Sequence, residues 1–377
     1  MNRFFLFCIV SVLSGTLLWG QNDKTSLNFE SPELGVGASA GQPKSLGPLN
    51  NINLGGTFDS RFLKPNGGKG ELDIHVNELF LTATVGDNIS ILAEQLLLPS
   101  EQSSVVGQDH GYVYAVLSNY SFLPQGMSFR VGRFRAKWGY DASSDSPANP
   151  IQSGVLKNIG FISDLGFEIS GYLGDSFDYS FATLNGPDTL FVTTTDGNGK
   201  SITVKNPAEN SISSHYYRAN YEINSASRIG ASYFEGNSYG WRNDAMFDMD
   251  TVQPYGKLDR SQLVYKQRIS VDGSFRLEKW TFSGEYSFGT DYFSSGNQSV
   301  KFYLARADYT FIPNLLSGLF QLDAIDDGFA GSSRPIVGSA ELSYHITDTS
   351  LLRIFYLTDL KKIRDTYLAG AQMLLTY

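Results

Sequence analysis

The chain has 377 residues, of which 18% are charged, and its net charge at neutral pH is −9. This charged fraction is too low for a disordered chain, and the acidic balance argues against a nucleic-acid partner. Aromatic residues make up 14% of the chain and there are 38 glycines. Such a mixture is typical of strands with aromatic girdles, so we expect a fold built from strands.

The first segment of the chain, 1–20, reads as a secretory signal peptide. Arg3 supplies the basic start, 4–12 is a short apolar run, and cleavage is expected before Gln21. A membrane-spanning helix is the alternative, but the run is shorter than the roughly 18 apolar residues that such a helix needs. The single cysteine, Cys8, lies inside this segment, so the mature chain is expected to have no disulfide and no cysteine metal site.

The rest of the chain divides into a short periplasmic N-terminal segment, 21–49, and a barrel, 50–377. Within the second part, helical periodicity is almost absent and period-two alternation recurs. The clearest pair of runs is 268–277 and 280–288, and only Glu278 and Lys279 separate them, which predicts a hairpin. The other alternating runs are 52–62, 72–85, 89–97, 112–120, 127–135, 165–172, 177–184, 215–223, 229–234, 300–311, 315–323, 336–345, 351–358 and 367–377.

Each run has one face of small and charged residues and one face of apolar and aromatic residues. In a soluble sandwich the apolar face would form the core, whereas in a transmembrane barrel it would face lipid. The alternation changes face near Glu78, which predicts a β-bulge. The runs predict an all-β, antiparallel transmembrane β-barrel of about 16 strands, with fourteen or eighteen as alternatives.

The connections between runs alternate in length, as they do in outer-membrane barrels with short periplasmic turns and long extracellular loops. An immunoglobulin-like sandwich has no reason to show this asymmetry. The short turns are 86–88, 122–126, 174–175, 224–227, 278–279, 312–314 and 347–350. The longer loops are 99–111, 140–163, 185–214, 235–259 and 290–298.

Two of the long loops have features of their own. The third, 140–163, either folds into the barrel and narrows it or is an ordinary surface loop, and the sequence leaves both readings open. The loop 185–214 contains a small alternation, 190–194 and 201–205, which predicts a surface hairpin.

Charged residues of both signs fall on the face that we expect to line a water-filled lumen, because a charge facing lipid at the midplane costs about 2 to 4 kcal/mol. Rings of opposed charge can shape ion selectivity, although many such residues would only pair across strands and brace the wall. The pore-lining candidates are Arg130, Arg133, Arg135, Lys137, Asp141, Asp145, Arg268, Arg276, Glu285, Arg306 and Asp308.

Arg133 and Arg135 fall on the lipid phase of their strand if its alternation is regular. A bulge near Gly132 would turn them inward, and we expect one there for that reason. They would then form a basic stripe with Arg130 and Lys137, opposite Asp141 and Asp145, that draws anions. In the alternative, these arginines pair with wall carboxylates and only brace the barrel.

The last twelve residues alternate regularly and end on Tyr377. A barrel must close by pairing its last strand with its first. This ending resembles the C-terminal recognition signal of bacterial outer-membrane proteins, so Tyr377 is the expected assembly signal. The resemblance implies the barrel-assembly machinery as a partner, together with outer-membrane lipids and lipopolysaccharide.

A second resemblance covers 72–139. The segment 75–81 reads HVNELFL and 130–139 reads RVGRFRAKWG, and together they resemble the phosphate-selective porin O and P family. Gly132, Arg133 and Phe134 match the family pattern, whereas Trp138 stands where its second phenylalanine is usual. The resemblance implies a sixteen-stranded homotrimer. Phosphate selectivity is not expected, because the loops lack a dense lysine cluster and the chain is acidic.

The expected function is that of an outer-membrane porin of a Gram-negative bacterium, which lets small hydrophilic solutes or ions diffuse passively. A non-conducting structural or adhesive barrel is the alternative. We expect no enzyme, cofactor or metal, because no histidine lies in a recognisable catalytic or metal motif. The four histidines are His75, His110, His215 and His345.

Overall fold

The structure is a computed structural model in which the strands and parts of their connections are described. The described residues are 44–46, 49–86, 88–96, 112–118, 123–124, 126–140, 150–151, 158–159, 163–185, 191–195, 201–205, 214–242, 247–248, 253–254, 257–293, 296–326, 328, 336–363 and 367–376. The predicted signal peptide, most of the predicted N-terminal segment and Tyr377 lie outside them. These three assignments therefore stay predictions.

Sixteen strands form the barrel. They are β1 (Leu49–Pro65), β2 (Glu71–Val85), β3 (Ile89–Leu96), β4 (Val113–Ser118), β5 (Met127–Arg135), β6 (Ser163–Leu173), β7 (Phe177–Leu184), β8 (Ser214–Asn224), β9 (Ser227–Arg242), β10 (Lys257–Leu277), β11 (Trp280–Phe293), β12 (Gly296–Ile312), β13 (Leu316–Asp326), β14 (Ile336–Thr347), β15 (Ser350–Asp359) and β16 (Tyr367–Thr376).

Every strand pairs antiparallel with its neighbours in sequence, and β16 pairs with β1, from Thr57 opposite Thr376 to Pro65 opposite Leu368. This last pairing closes the sheet, so no barrel edge is left open. A short strand, Lys44–Leu46, adds to the start of β1. The predicted all-β barrel of about sixteen strands is confirmed.

Side chains alternate between the two faces of the barrel wall, as the sequence predicted. On the hairpin of β10 and β11, Ser270, Asp272 and Glu285 are buried, while Val271 and Phe282 are exposed. The same exposed apolar phase continues around the barrel. Its members include Phe62, Leu81, Val131, Leu165, Ile229, Phe275, Tyr303, Phe320, Leu342 and Ile354.

The predicted hairpin of β10 and β11 turns at Glu278, which has a φ of 51°. The predicted bulge near Glu78 is also present, because the register shifts where Asp59 and Ser60 face Val76 and Ile74. The predicted surface hairpin is confirmed too, since Phe191–Thr195 pairs antiparallel with Ser201–Lys205. Among the described residues, no helix is long and apolar enough to cross a membrane.

Two predicted loops are shorter than expected. The first is 235–259, since β9 runs to Arg242 and β10 begins at Lys257. The second, 290–298, was expected to be a long loop, but β11 runs to Phe293 and β12 begins at Gly296. The pairing continues here through polar residues such as Thr290 opposite Ser299. Hydrogen bonding along the backbone does not need apolar side chains, so the strands extend beyond the point where the hydrophobic alternation ends.

Candidate functional site

The third loop joins β5 to β6, and its described residues lie inside the barrel. Tyr140 and Asn158 contact β11, whereas Ile151 packs in a cluster with residues of β1, β15 and β16. These two groups of strands are separated by at least three strands around the closed sheet. The loop contacts both parts of the wall on their polar, buried phase, while the apolar phase stays exposed. The loop therefore runs across the lumen, and the polar, buried phase is the inward one. Of the two readings that the sequence left open, the inward fold is the one observed.

The root of this loop, which we define as 136–140, is held by an apolar cluster against the wall. Trp138 and Ala136 are almost fully buried together with Phe134, Phe234 and Tyr216. The rings of Trp138 and Phe234 meet edge to face, with centroids 6.3 Å apart. Burial of aromatic rings is the largest single source of packing energy available here. The loop therefore leaves β5 already fixed to the inner wall.

Glu285 of β11 holds the end of the root. Its Oε2 accepts a hydrogen bond from the Tyr140 backbone N–H at 3.0 Å, and its Oε1 accepts one from the Ser270 hydroxyl at 2.9 Å. Gly139 precedes with a φ of +61°, and a Cβ there would lie 2.8 Å from Glu285 Cδ. Only glycine fits this backbone and this approach, so Gly139 and Glu285 form a matched pair.

Arginines complete the contact between root and wall. The Gly139 N–H donates to Ser232 Oγ at 3.1 Å, and Ser232 Oγ also accepts from Arg218 Nη1 at 2.8 Å. Arg218 pairs with both oxygens of Asp272, at 2.8 and 2.9 Å. Arg228 Nη2 donates to the Tyr140 carbonyl at 2.9 Å. Such bidentate, charge-assisted bonds set the wall geometry firmly.

The returning part of the loop contacts the same wall. Asn158 Nδ2 donates to Ser287 Oγ at 2.5 Å, and Arg268 Nε donates to Asn158 Oδ1 at 3.3 Å. Arg268 also pairs with Asp291. Ile159, the next residue, joins the apolar cluster of Trp138. Both ends of the loop are thus attached to one side of the lumen.

Ile151 forms the contact on the other side. It is fully buried, and it packs with Leu63 of β1, Phe355 and Leu357 of β15, and Leu368 of β16. These side chains lie on the inward phase of their strands. An apolar contact in a lumen of polar side chains excludes water locally, and it fixes the loop at a second point away from its root.

Five of the predicted pore-lining residues lie on the inward phase and take part in contacts there. The Arg130 guanidinium lies over the rings of Tyr114 and Phe134, at 5.0 and 5.1 Å, and it pairs with Glu168 at 3.3 Å. Arg268 and Glu285 hold the third loop, as described above. Arg306 and Asp308 pair with each other at 2.8 Å on β12. Arg276 shares the inward phase of Asp272 but is exposed near the turn after β10.

The predicted bulge near Gly132 is absent, so that part of the sequence interpretation is wrong. The pairing of β5 runs without a register shift on both sides. Arg133 faces Val113 and Leu165, which are exposed on the outer phase. Gly132 has a φ of +129°, and a Cβ at this position would lie 2.7 Å from Tyr114 Cα. The glycine allows β5 to approach β4 closely and does not turn the arginines inward.

The remaining parts of the predicted stripe are not brought together. Arg133 lies 3.9 Å from Asp164, and Arg135 is the last residue of β5. Lys137 is exposed. Asp141 and Asp145 lie outside the described residues. A basic stripe formed by these side chains therefore has no support in the described geometry.

The sequence analysis did not predict that Trp138, Ile151, Arg218 and Arg228 fix the loop. A signal existed for the first two, because each is a large apolar residue in a connection rich in Asp, Asn, Ser and Pro. Apolar residues in such a loop need a surface to cover. The two arginines gave no signal beyond their place on charged strand faces.

Known proteins resemble this chain in structure but not in sequence. The chain matches no protein-family model and none of the curated proteins. The anion-selective porin from Comamonas acidovorans superposes with a TM-score of 0.52 at 11% identity, over 86% of this chain and 99% of that one. Salmonella typhi OmpF in complex with daunomycin gives a TM-score of 0.55 at 13% identity, over 89% of this chain and 100% of that one.

A trimer form of Vibrio cholerae OmpT, an outer membrane protein, gives a TM-score of 0.54 at 9% identity, over 86% of this chain and 99% of that one. At such low identities the likeness concerns the fold alone. The chain thus shares the closed sixteen-stranded fold of bacterial outer-membrane porins.

Proposed function

We propose that the protein is a channel of the bacterial outer membrane through which small hydrophilic solutes or ions diffuse. The inward-folded third loop would form its constriction. The observation that carries this proposal is the attachment of one loop to two separate parts of the inner wall, at Glu285 and around Ile151. A barrel of about sixteen strands is wide enough to hold an aqueous channel, and a loop fixed across it sets the width.

The distribution of side chains supports a membrane-spanning channel. The outer face presents apolar and aromatic residues, whereas paired charges lie on the inner face. A lipid-facing charge is costly and a water-facing charge is not. Selectivity would depend on the balance between arginines and carboxylates at the loop. The resemblance to the phosphate-selective porin O and P family covers 72–139 and stays a hypothesis. We propose no specific ligand from it.

Single-channel recording of the folded protein in a planar bilayer tests the proposal. We expect discrete conductance steps, together with release of small sugars from proteoliposomes. Heat-unfolded protein from the same preparation is the control. A folded barrel that gives neither steps nor sugar release would instead favour the alternative, a non-conducting structural or adhesive barrel. No catalytic role is proposed.

A homotrimer is part of the proposal, and the outer face suggests where copies would meet. Outward residues of β2 to β4, such as Leu79, Leu81, Ile91 and Leu117, are aliphatic, and none of those with described side chains is aromatic. By contrast β10 to β12 present Trp280, Tyr303 and many other rings. Aromatic girdles suit a lipid interface, so the aliphatic face is the one we expect between copies. A bifunctional thiol cross-linker should join Leu81→Cys subunits in pairs, because each subunit carries one thiol, whereas it should not join Tyr303→Cys subunits.

Tyr377 is proposed as the assembly signal. Deletion of Tyr377 should lower the yield of assembled barrel far more than deletion of 196–199, because the terminal strand closes the barrel and the loop does not. Heat-modifiable migration on a mild detergent gel measures the folded fraction. Equal yields from the two deletions would contradict this role.

A further inference from the structure

A recess opens into the lumen from the wall formed by β12 to β15, near its short-turn end. Its volume is about 190 Å³. Arg306, Asp308, Leu319, Glu341 and Arg353 are among the residues that line it, and none of the described residues of the third loop does. We call it the short-turn recess. It is separate from the contacts that hold the loop root.

The register of the four strands brings these side chains together. Asp308 of β12 lies opposite Leu319 of β13, and Leu319 lies opposite Glu341 of β14. Ser343 of β14 lies opposite Arg353 of β15. Directly opposed residues in antiparallel strands have neighbouring side chains on the same face. The lining of the recess is therefore built by the sheet itself, and Leu319 also packs against the cluster that contains Ile151 of the third loop.

The charges of the recess neutralise one another in pairs. Arg306 donates to both oxygens of Asp308, from Nε at 2.9 Å and from Nη2 at 2.8 Å. Arg353 Nε lies 3.3 Å from Glu341 Oε1. With two basic and two acidic groups already paired, neither a cation nor an anion finds an uncompensated partner. A neutral ligand meets less electrostatic resistance than an ion.

Glu341 offers hydrogen-bonding capacity at this site. Its side chain is 7% exposed, and its Oε1 accepts a hydrogen bond from Ser343 Oγ at 2.5 Å. Its Oε2 accepts no hydrogen bond from any described residue. A buried acceptor without a donor is unfavourable, and the terminal torsion of a glutamate is broad. The carboxylate can thus turn to meet a donor that enters the recess.

We propose that the short-turn recess binds a small neutral polyhydroxylated solute, of the size of a monosaccharide, on its way through the lumen. Hydroxyl groups would donate to Glu341, and the C–H face of the solute would lie on Leu319 and Leu351, which also line the recess. Its volume of about 190 Å³ is many times the roughly 10 to 15 Å³ of cavity volume that a single water needs. This inference rests on the proposed function in one respect, namely that solutes pass the recess on their way through the lumen.

Ligand-observed saturation-transfer NMR on the folded protein in detergent tests this site. Glucose is the probe, with cationic glucosamine and anionic gluconate for comparison. Glu341→Gln removes the charged acceptor, and Ser317→Phe fills the recess, which Ser317 lines. Glu168→Gln is the matched control, because Glu168 is a buried inward carboxylate that also lies 3.3 Å from an arginine, on β6.

We expect saturable glucose binding whose midpoint rises about tenfold in Glu341→Gln, as for the loss of one hydrogen bond to a charged acceptor. Ser317→Phe should abolish binding, and Glu168→Gln should leave the midpoint unchanged. Equal midpoints in all variants, or no saturable glucose binding, would overturn the site. Tighter binding of glucosamine or gluconate than of glucose would overturn its neutral ligand class.

Conductance of the same preparations separates this inference from the proposed function. A conducting barrel without saturable glucose binding overturns the recess as a site and leaves the channel intact. A folded barrel that binds glucose but gives no conductance overturns the channel and leaves the site.

Discussion

The lumen has two walls that use buried apolar residues differently. On the wall of β3 to β9, strand residues such as Phe234 pack with Trp138 and Ile159 from the third loop. On the wall of β12 to β14, the buried cluster of Phe302 and Val337 contains strand residues alone among those described. The first wall fixes the root of the loop inside the barrel. Among the described residues, the second wall meets the loop cluster of Ile151 through Leu319, and it leaves room for the short-turn recess. Buried apolar residues on the inner face therefore indicate a site of loop docking only where the loop contributes apolar side chains of its own.

The largest effect on this comparison should come from Trp138→Ala. It removes the largest buried side chain of the loop root, and such deletions cost about 3 to 5 kcal/mol of packing. The root should detach from the wall, so single-channel conductance should rise while the barrel stays folded. Planar-bilayer recording measures the rise, and heat-modifiable migration measures folding.

Phe302→Ala is the matched control for Trp138→Ala. It deletes a fully buried inward ring on the second wall, where no described loop residue joins the cluster. We expect it to lower the unfolding temperature of the barrel without raising conductance. If both variants raise conductance equally, the two walls do not differ in the way proposed.

A smaller effect is expected from Ile151→Ala. This change weakens the loop's contact with β1, β15 and β16 by about 2 to 5 kcal/mol at most, while the root at Trp138 and Glu285 stays attached. The loop should then fluctuate at one end. We expect noisier open-channel current with a modest rise in mean conductance. Unchanged noise would show that Ile151 does not hold the constriction.

The smallest effect concerns arginines on the two faces of the wall. Arg268→Ala removes the arginine that pairs with inward Asp291, so the reversal potential in a salt gradient should move towards cation preference. Arg133→Ala combined with Arg135→Ala should not move it, because the Arg133 backbone pairs with outer-phase residues and Arg135 ends β5. A larger shift from the double variant than from Arg268→Ala would restore the stripe that the sequence suggested.

The sequence predicted the barrel because its strongest signals are local. A period-two pattern in each strand and alternating connection lengths follow from pairing with sequence neighbours, and fifteen of the sixteen barrel pairings join consecutive strands. The hairpin at Glu278 and the bulge near Glu78 were predicted for the same reason. The extension of β11 and β12 past the apolar alternation was not predicted, because backbone pairing leaves no side-chain pattern there.

The site depended on contacts between residues far apart in the chain. No local pattern could show that Ile151 would meet Leu63 and Phe355, or that Tyr140 would meet Glu285. The outward orientation of Arg133 follows from a strand register without a bulge. The sequence alone could not distinguish that register from a bulged one. By itself the sequence determined a closed barrel with a polar inner face, since strand alternation is a property of neighbours in the chain. Only the tertiary structure decided where the third loop lies, since that depends on walls that the chain builds from distant strands.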